Sequence, residues 1–257
     1  MELKLTVITV VYNNASGIER TLLSVLGQTY RNLEYIVMDG GSSDGTLDII
    51  KRYEDRITSW ISEPDKGIYD AMNKGSQIAS GYYVLFMNSG DEFYNENVLQ
   101  EIAQFLTLKQ DLPDVVYGDT SVRNGSYATL KKVTSSPSIK NAMPFCHQSV
   151  FVKTALLKKY QFDISYRVIA DREMITRMYL DRYTFAYHST PWSVIEGIGF
   201  SNLSRGRYQS EENRMLLRIN AIGKYKAWRR QLLAVFKDWV MRMAPPSLIS
   251  LKRKYKI

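Results

Sequence analysis

The sequence predicts an α/β protein: a mostly parallel, doubly wound sheet with helices on both faces, then an α+β half and a C-terminal helical tail. Three observations carry that expectation. Strand and helix periodicities alternate through the first 120 residues, which is the pattern of repeated β-α-β units. The strand runs are continuously apolar and β-branched, as strands buried on both faces must be. They end in polar clusters, and ligands of open parallel sheets bind beyond the carboxyl ends of the strands.

Taken in order, "LTVITVVY" (5–12) is the first strand and "SGIERTLLSVLGQT" the first helix, with Ser16 and Glu19 spaced as a capping box. "EYIVMD" (34–39) is a strand and "GTLDIIKRYED" an amphipathic helix. "ITSWIS" (57–62), "YDAMNKGSQIA" and "YYVLFMN" (82–88) continue as strand, helix and strand, followed by helix "NENVLQEIAQFL" and strand "DVVYGD" (114–119). Beyond residue 120 the pattern loosens, with strands at "SYATLKKV" and "QSVFVK" and helices near 153–160 and 171–181. The boundaries expected are 1–120 and 121–206 as two halves of one domain, and 207–257 as a basic amphipathic tail.

The chain has 257 residues, 45% of them hydrophobic, enough for a sizeable core. Its only cysteine, Cys146, and two histidines exclude an internal disulfide and a Cys/His zinc site, so any metal is a hard, oxygen-bound one. The net charge of +8 suggests nucleic acid until it is located. From Lys224 onward there are ten basic residues and one acid, whereas the preceding 223 residues carry a net charge of −1. The body is therefore a poor nucleic-acid surface. In the tail, Trp228, Leu232, Val235 and Trp239 recur at helical spacing beside Arg229, Arg230 and Lys237. That pattern suits an anionic membrane surface or a packed helix with a solvated basic face. No run is long enough to span a bilayer and no targeting segment is visible, so the expected location is cytoplasmic, peripheral at the inner face of the membrane.

The strand ends carry the chemistry. The first ends in Tyr12-Asn13-Asn14, the second in Asp39-Gly40-Gly41-Ser42 and the fourth in Asn88-Ser89-Gly90-Asp91. Each is either a turn or a ligand site. Neither G-x-G-x-x-G nor G-x-x-x-x-G-K-[ST] is present, which removes the common dinucleotide and P-loop readings.

Two long stretches, "VITVVYNNASGIERTLLSVLGQTYRNLEYIVMDGGSSDGT" and "SEPDKGIYDAMNKGSQIASGYYVLFMNSGDEF", together resemble the family-two glycosyltransferases, closely over residues 4 to 93 and loosely over 144 to 200. The resemblance implies a GT-A fold and transfer of one sugar from a nucleoside-diphosphate donor, UDP-linked, to a carbohydrate or lipid-linked oligosaccharide, in surface polysaccharide biosynthesis. It implies nucleotide and donor contacts from Val10, Tyr12, Asn13, Asp39, Gly41, Asp65, Lys66, Gly67, Asp70, Asn73, Asn88 and Ser89. Asp91 is the implied ligand of Mg2+ or Mn2+, with Glu92 as a second candidate. "YRVIADREMITRMYLDR" places Asp171 as the base for the acceptor hydroxyl, and Arg172, His147 and His188 as possible substrate contacts. A single base without a nucleophile implies inversion. The Gly/Ser-rich "EGIGFSNLS" (196–204) resembles a closing loop.

The chain departs from the family at two places: Gly40 follows Asp39 where a second aspartate is common, and Asn88-Ser89-Gly90-Asp91 stands where D-x-D is usual. Magnesium needs only one or two protein carboxylates, so Asp91 alone can serve. The missing Q-x-x-R-W motif implies single additions. A nucleotidyltransferase and a non-catalytic sugar-nucleotide-binding scaffold remain as rival readings.

Overall fold

The structure, a computed structural model, describes residues 3–125, 127–133, 143, 145–196, 205–224 and 226–233. It divides into two compact units, Met1–Gly197 and Ile198–Ile257. The first unit contains β1 (Leu5–Val11), α1 (Ala15–Leu26), β2 (Leu33–Asp39), α2 (Thr46–Lys51), β3 (Ser59–Ser62), α3 (Ile68–Ile78), β4 (Tyr83–Phe86), β5 (Glu92–Phe93) and α4 (Val98–Thr107). It continues with β6 (Val115–Asn124), β7 (Tyr127–Lys131), β8 (Val150–Lys153), α5 (Thr154–Tyr160), α6 (Ala170–Leu180) and β9 (Phe185–Glu196).

One sheet runs in the order β3-β2-β1-β4-β8-β6-β9-β5, with β7 on β6. The segment β3-β2-β1-β4 is parallel throughout, in the register Leu5 to Leu33 and Leu5 to Tyr83. Every residue of β1 is buried, as its unbroken apolar run requires. Its side chains alternate between two layers. Leu5, Val7 and Val11 join Ile18, Leu22 and Val25 of α1, with Tyr35, Leu85, Phe151 and Trp192, in one apolar cluster. On the opposite face α3 lies close: a Cβ on Gly75 would stand 2.9 Å from Ile8 Cγ2 and 3.1 Å from Met38 Cγ.

Beyond β4 the sheet is mixed. β8 inserts antiparallel between β4 and β6, β9 runs parallel to β6, and β5 pairs antiparallel with β9. The proposed capping box at α1 does not form. The helix begins at Ala15, one residue before Ser16, and its first N–H donates to Asp44 Oδ2 at 2.9 Å. Glu19 instead accepts from the Tyr53 hydroxyl at 2.8 Å and pairs with Arg52. Asp44 Oδ1 also accepts from Thr46 N, so one carboxylate serves the first turns of both α1 and α2.

In the second unit α7 (Arg205–Arg218) meets the helical segment at 226–233 through Asn213 Nδ2 to Ala227 O (3.0 Å) and a Glu212–Arg230 ion pair. Val235, Lys237 and Trp239 of the tail pattern, and 197–204 of the Gly/Ser-rich loop, lie outside the described residues. Among the described residues no helix is long and apolar enough to cross a membrane.

At the amino end of the sheet Glu34 is a buried carboxylate, accepting from Thr6 Oγ1 (2.6 Å), Ser80 N (2.7 Å) and Lys4 Nζ (3.2 Å), and from the Ser80 hydroxyl. Burial opposes its ionisation, but these donors outweigh it and bring the pKa down from 4.5 to about 2. Because the folded value is the lower one, the stabilisation is complete above pH 4.5 and is lost as pH falls through about 2. Glu34→Gln should therefore cost about 3 kcal/mol at neutral pH, with the gap to wild type closing as urea melts are repeated at progressively lower pH.

Candidate active site

The parallel half delivers its strand ends to one edge. After β1 the chain leaves the sheet at Tyr12, whose ring is 64% exposed although its neighbours in β1 are buried. Asn13 then takes φ 46°, a conformation Asn tolerates better than most residues. Its backbone N–H donates to Ser42 Oγ and its side-chain oxygen accepts from Ser43 N, both at 2.8 Å, tying the end of β1 to that of β2. Val10 is buried, and its carbonyl accepts from Ser89 N at 3.2 Å; its part in the site is to seat that loop.

Asp39, the last residue of β2, is 2% exposed. Its Oδ2 accepts from Gly41 N (3.0 Å), Ser42 N (2.9 Å) and Ser62 Oγ (2.7 Å), while Oδ1 is buried with no partner. One oxygen thus builds the turn and the other remains an acceptor, so the two sequence readings of Asp39 are compatible. Beside it a Cβ on Gly40 would fall 2.5 Å from Asp65 Oδ2 and 3.3 Å from Tyr12 Cδ2. The volume that a second aspartate would enter at position 40 is taken by the carboxylate of Asp65.

The 65–70 loop is self-bracing. Asp65 Oδ1 accepts from Gly67 N at 2.6 Å, and Asp70 in the first turn of α3 reaches back to Lys66 N at 3.0 Å. Gly67 has φ 116°, and Arg167 Nη1, which donates to Lys66 O, would lie 2.7 Å from a Cβ there. The positive φ is what favours glycine here, since the flexible end of Arg167 could move aside. Asn73, expected as a donor contact, has its amide engaged within the protein: it donates to Phe162 O (2.9 Å) and accepts from Phe162 N (2.8 Å), clamping the α5–α6 connection to α3.

At the end of β4, Asn14 Nδ2 donates to Ser89 Oγ (2.9 Å). Asn88 Nδ2 meets His147 Nε2 at 2.7 Å, and Asn88 Oδ1 is buried without a partner. Asp91 Oδ2 accepts from Gln148 Nε2 at 2.7 Å. Burial raises the Asp91 pKa, against the lowering effects of Gln148, His147, the Glu196 N–H and Arg20. Glu92 is excluded as a second metal ligand, because β5 pairs it with β9 and its carboxylate is ion-paired with Arg123.

From the second half, Asp171 in the first turn of α6 has a side chain 16% exposed. Its Oδ2 lies 3.2 Å from His147 Nδ1, and its Oδ1 accepts from Arg172 N (2.8 Å) and the Tyr69 hydroxyl (3.2 Å). Burial would raise its pKa, but His147, the Arg172 N–H and Tyr69 together hold it below the usual carboxylate value. Arg172, expected as a possible substrate contact, and its neighbour Glu173 are both buried, each 2% exposed. His188, expected as a possible substrate contact, is engaged within the protein. It sits in β9 with its ring 4.7 Å from Phe105 of α4 and its Nδ1 accepting from the Trp192 indole at 3.3 Å, and burial lowers its pKa.

Gln148, Tyr69 and Arg167 escaped sequence reasoning. The polar pair His147-Gln148 directly ahead of the apolar run "SVFV" was the visible signal for the first. Among the described residues no three His, Cys, Asp or Glu side chains cluster as a metal site. Oxygens at the end of β4 that could serve a cation include the Asp91 carboxylate and the partnerless Asn88 Oδ1. They suit a hard ion such as Mg2+ or Mn2+ that completes its shell with phosphate and water.

A parallel half-sheet that gathers acidic and aromatic side chains at its strand ends, continued by a mixed half carrying a buried carboxylate, is the GT-A class of α/β fold. The comparisons agree. Solved structures of similar fold include S. aureus TarS 1-349 in complex with UDP-GlcNAc (TM-score 0.67, 20% identity, covering 91% of this chain and 72% of that one). Another is the mannosyltransferase PcManGT from Pyrobaculum calidifontis in complex with GDP-Man and Mn2+ (TM-score 0.67, 19% identity, 91% and 69%). An uncharacterized glycosyltransferase of Mycobacterium tuberculosis is 34% identical over 181 residues, 67% of each chain, and a PGL/p-HBAD biosynthesis glycosyltransferase of Mycobacterium bovis is 31% identical over 176 residues, 65% of this chain and 66% of that one. The profile of glycosyl transferase family 2 matches residues 6–182, and the chain belongs to that family. It is a glycosyltransferase.

Gly40→Ala tests the crowding beside Asp39. The added methyl must displace Asp65 or Tyr12, and binding of UDP or GDP measured by calorimetry should weaken about tenfold, or ~1.4 kcal/mol. Unchanged affinity would remove Asp65 and Tyr12 from the nucleotide site.

Proposed function

We propose that this enzyme transfers a single sugar from a nucleoside-diphosphate sugar, UDP-linked, to a hydroxyl of a carbohydrate or lipid-linked oligosaccharide, with inversion at the anomeric carbon. The observation that carries this reading is Asp171: a half-buried carboxylate held in its ionised form by three donors, connected through His147 to the Asn88–Asp91 loop. A binding module has no use for such a group.

Tyr12 offers an exposed ring face to the nucleobase, and Asp39 Oδ1 offers an acceptor to a base N–H or ribose hydroxyl. Asp65 supplies the carboxylate that Gly40 lacks. Asp91, with Asn88 at the same strand end, would hold Mg2+ or Mn2+. That ion supplies Lewis-acid stabilisation of the departing diphosphate. Holding a cation also accounts for a buried carboxylate at Asp91, since the positive charge offsets the cost of desolvating it. Asp171 accepts the proton of the acceptor hydroxyl as its oxygen bonds to the anomeric carbon. The nucleoside diphosphate leaves with the electron pair of the broken C–O bond. The low pKa of Asp171 makes it a weaker base than one near neutrality, but it is fully ionised at physiological pH.

The UDP preference draws support from the UDP-GlcNAc complex of one structural neighbour, and the metal from the complex of the other with GDP-Man and Mn2+. A place in glycolipid or surface-glycan assembly draws support from the name of the M. bovis relative. The tail is the proposed membrane contact: Trp228 and Leu232 are 58% and 49% exposed beside an exposed Arg229.

Asp171→Asn should lower sugar transfer about 10²- to 10⁴-fold while leaving UDP affinity within a factor of about two. Transfer at the wild-type rate would sink the base assignment. A thermal-shift screen of UDP, GDP and their sugars with and without Mn2+ should show stabilisation that depends on metal in the wild type and loses that dependence in Asp91→Ala. For the tail, Trp228→Glu combined with Leu232→Glu in the full chain should reduce cosedimentation with anionic vesicles several-fold. Equal partitioning would remove the membrane claim.

A further inference from the structure

We propose that His147 and Gln148, consecutive residues of the short 3-10 turn ahead of β8, are positioning residues that fix Asp171 and Asp91 relative to each other. The inference rests on the roles just proposed for those two carboxylates. It concerns what sets their separation.

The contacts are specific. His147 Nδ1 is 3.2 Å from Asp171 Oδ2, and Gln148 Nε2 donates to Asp91 Oδ2 at 2.7 Å. Neighbouring Cα atoms are about 3.8 Å apart, so one peptide unit spans the proton-accepting and the diphosphate-binding sides of the site. The imidazole is held at both ends. Asn88 Nδ2 donates to Nε2 at 2.7 Å, which leaves the ring proton on Nδ1 to be donated to Asp171.

The turn itself is anchored from below. Ser149, fully buried, bonds through its hydroxyl to Thr120 Oγ1 (2.8 Å), Ser193 Oγ (2.6 Å) and Asp119 O (2.9 Å), and its N–H donates to Cys146 O at 2.9 Å. Gln148 is 8% exposed. Two side chains that leave a strand-anchored turn toward two different carboxylates have little freedom to change one distance without the other. Transfer needs the acceptor hydroxyl within about 3 Å of its base while the leaving group is held in line, and a misplacement of 1 Å costs about 10²-fold.

The chain has two histidines, which gives a test independent of any substrate. His188 Nδ1 accepts from the Trp192 indole, so its proton is on Nε2; His147 should be the opposite tautomer. In 15N-histidine spectra of the full chain near pH 8, one ring should show a protonated Nδ1, and that signal should shift in Asp171→Asn while the other ring stays unchanged. Two Nε2–H tautomers would overturn the proposal.

Kinetics and binding complete it. With UDP-glucose, UDP-GlcNAc, UDP-galactose and GDP-mannose as donors and water as acceptor, His147→Ala should lower the turnover of nucleoside diphosphate release about 10²-fold with KM little changed. His147→Asn, whose amide N–H can replace Nδ1–H, should recover most of the loss, and His147→Gln should not. Gln148→Leu should instead weaken Mn2+-dependent binding of UDP or GDP in calorimetry about 10- to 100-fold. If Asp171→Asn abolishes turnover but His147→Ala leaves it within twofold, the positioning role fails and the base assignment stands. Full turnover in Asp171→Asn would remove both. Equal losses in the Ala, Asn and Gln variants would mean that His147 serves folding alone.

Discussion

A strand buried on both faces must still satisfy its last peptide groups where it stops, and much of the site follows from how this chain meets that requirement. β1, β2 and β4 are in parallel register, so their unmet N–H and C=O groups collect along one edge. Small polar side chains close them: Asn13 and Asp39 bind the turn after β2, Asp44 serves two helix starts, and Asn14 seats Ser89. Each of these has a side chain short enough to hydrogen-bond nearby backbone. The same side chains are the ones a nucleotide can use. Asp39 has one oxygen in the turn and one left over.

The second half reaches that edge because of strand direction. β8 runs antiparallel to β4, with Leu85 opposite Phe151, so the residues that enter β8 come in beside those that leave β4. His147 and Gln148 consequently arrive at Asn88 and Asp91. Had β8 been parallel, its leading turn would have been at the far end of the sheet. The route of the chain therefore sets which residues meet, and hydrogen bonds of ordinary length then set the distances.

Much of this was legible in the sequence. Buried parallel strands are written as apolar runs, helices as a 3.6-residue period, and turns as Asn, Asp, Ser and Gly; hence the element order from β1 to β4 and the strand-end residues could be read directly, whereas β5 and β9 were not. Contacts between distant segments could not. Nothing in "AMNKG" says that Asn73 is occupied by Phe162, and nothing in "FAYHSTPW" says that His188 lies under Trp192 against α4. The capping box failed for a different reason: Ser16 and Glu19 have the right spacing, but the helix is capped two residues earlier, at Asn14, with Asp44 accepting from Ala15 N. Local spacing is evidence only until a tertiary partner competes for the same backbone group.

The missing aspartate at position 40 reads differently once Asp65 is seen in its place. Positions 40 and 65 are 25 residues apart but share one volume, in which a Cβ from the first and a carboxylate oxygen from the second would be 2.5 Å apart. The two positions are thus alternatives for supplying one negative charge, and the strand end cannot accommodate both without shifting. The carboxylate at this strand end thus comes from the 65–70 loop, whose shape depends on bracing by Gly67, Asp70 and Arg167. The charge then comes from a segment that also touches the second half of the fold, so the site is complete only when both halves are folded.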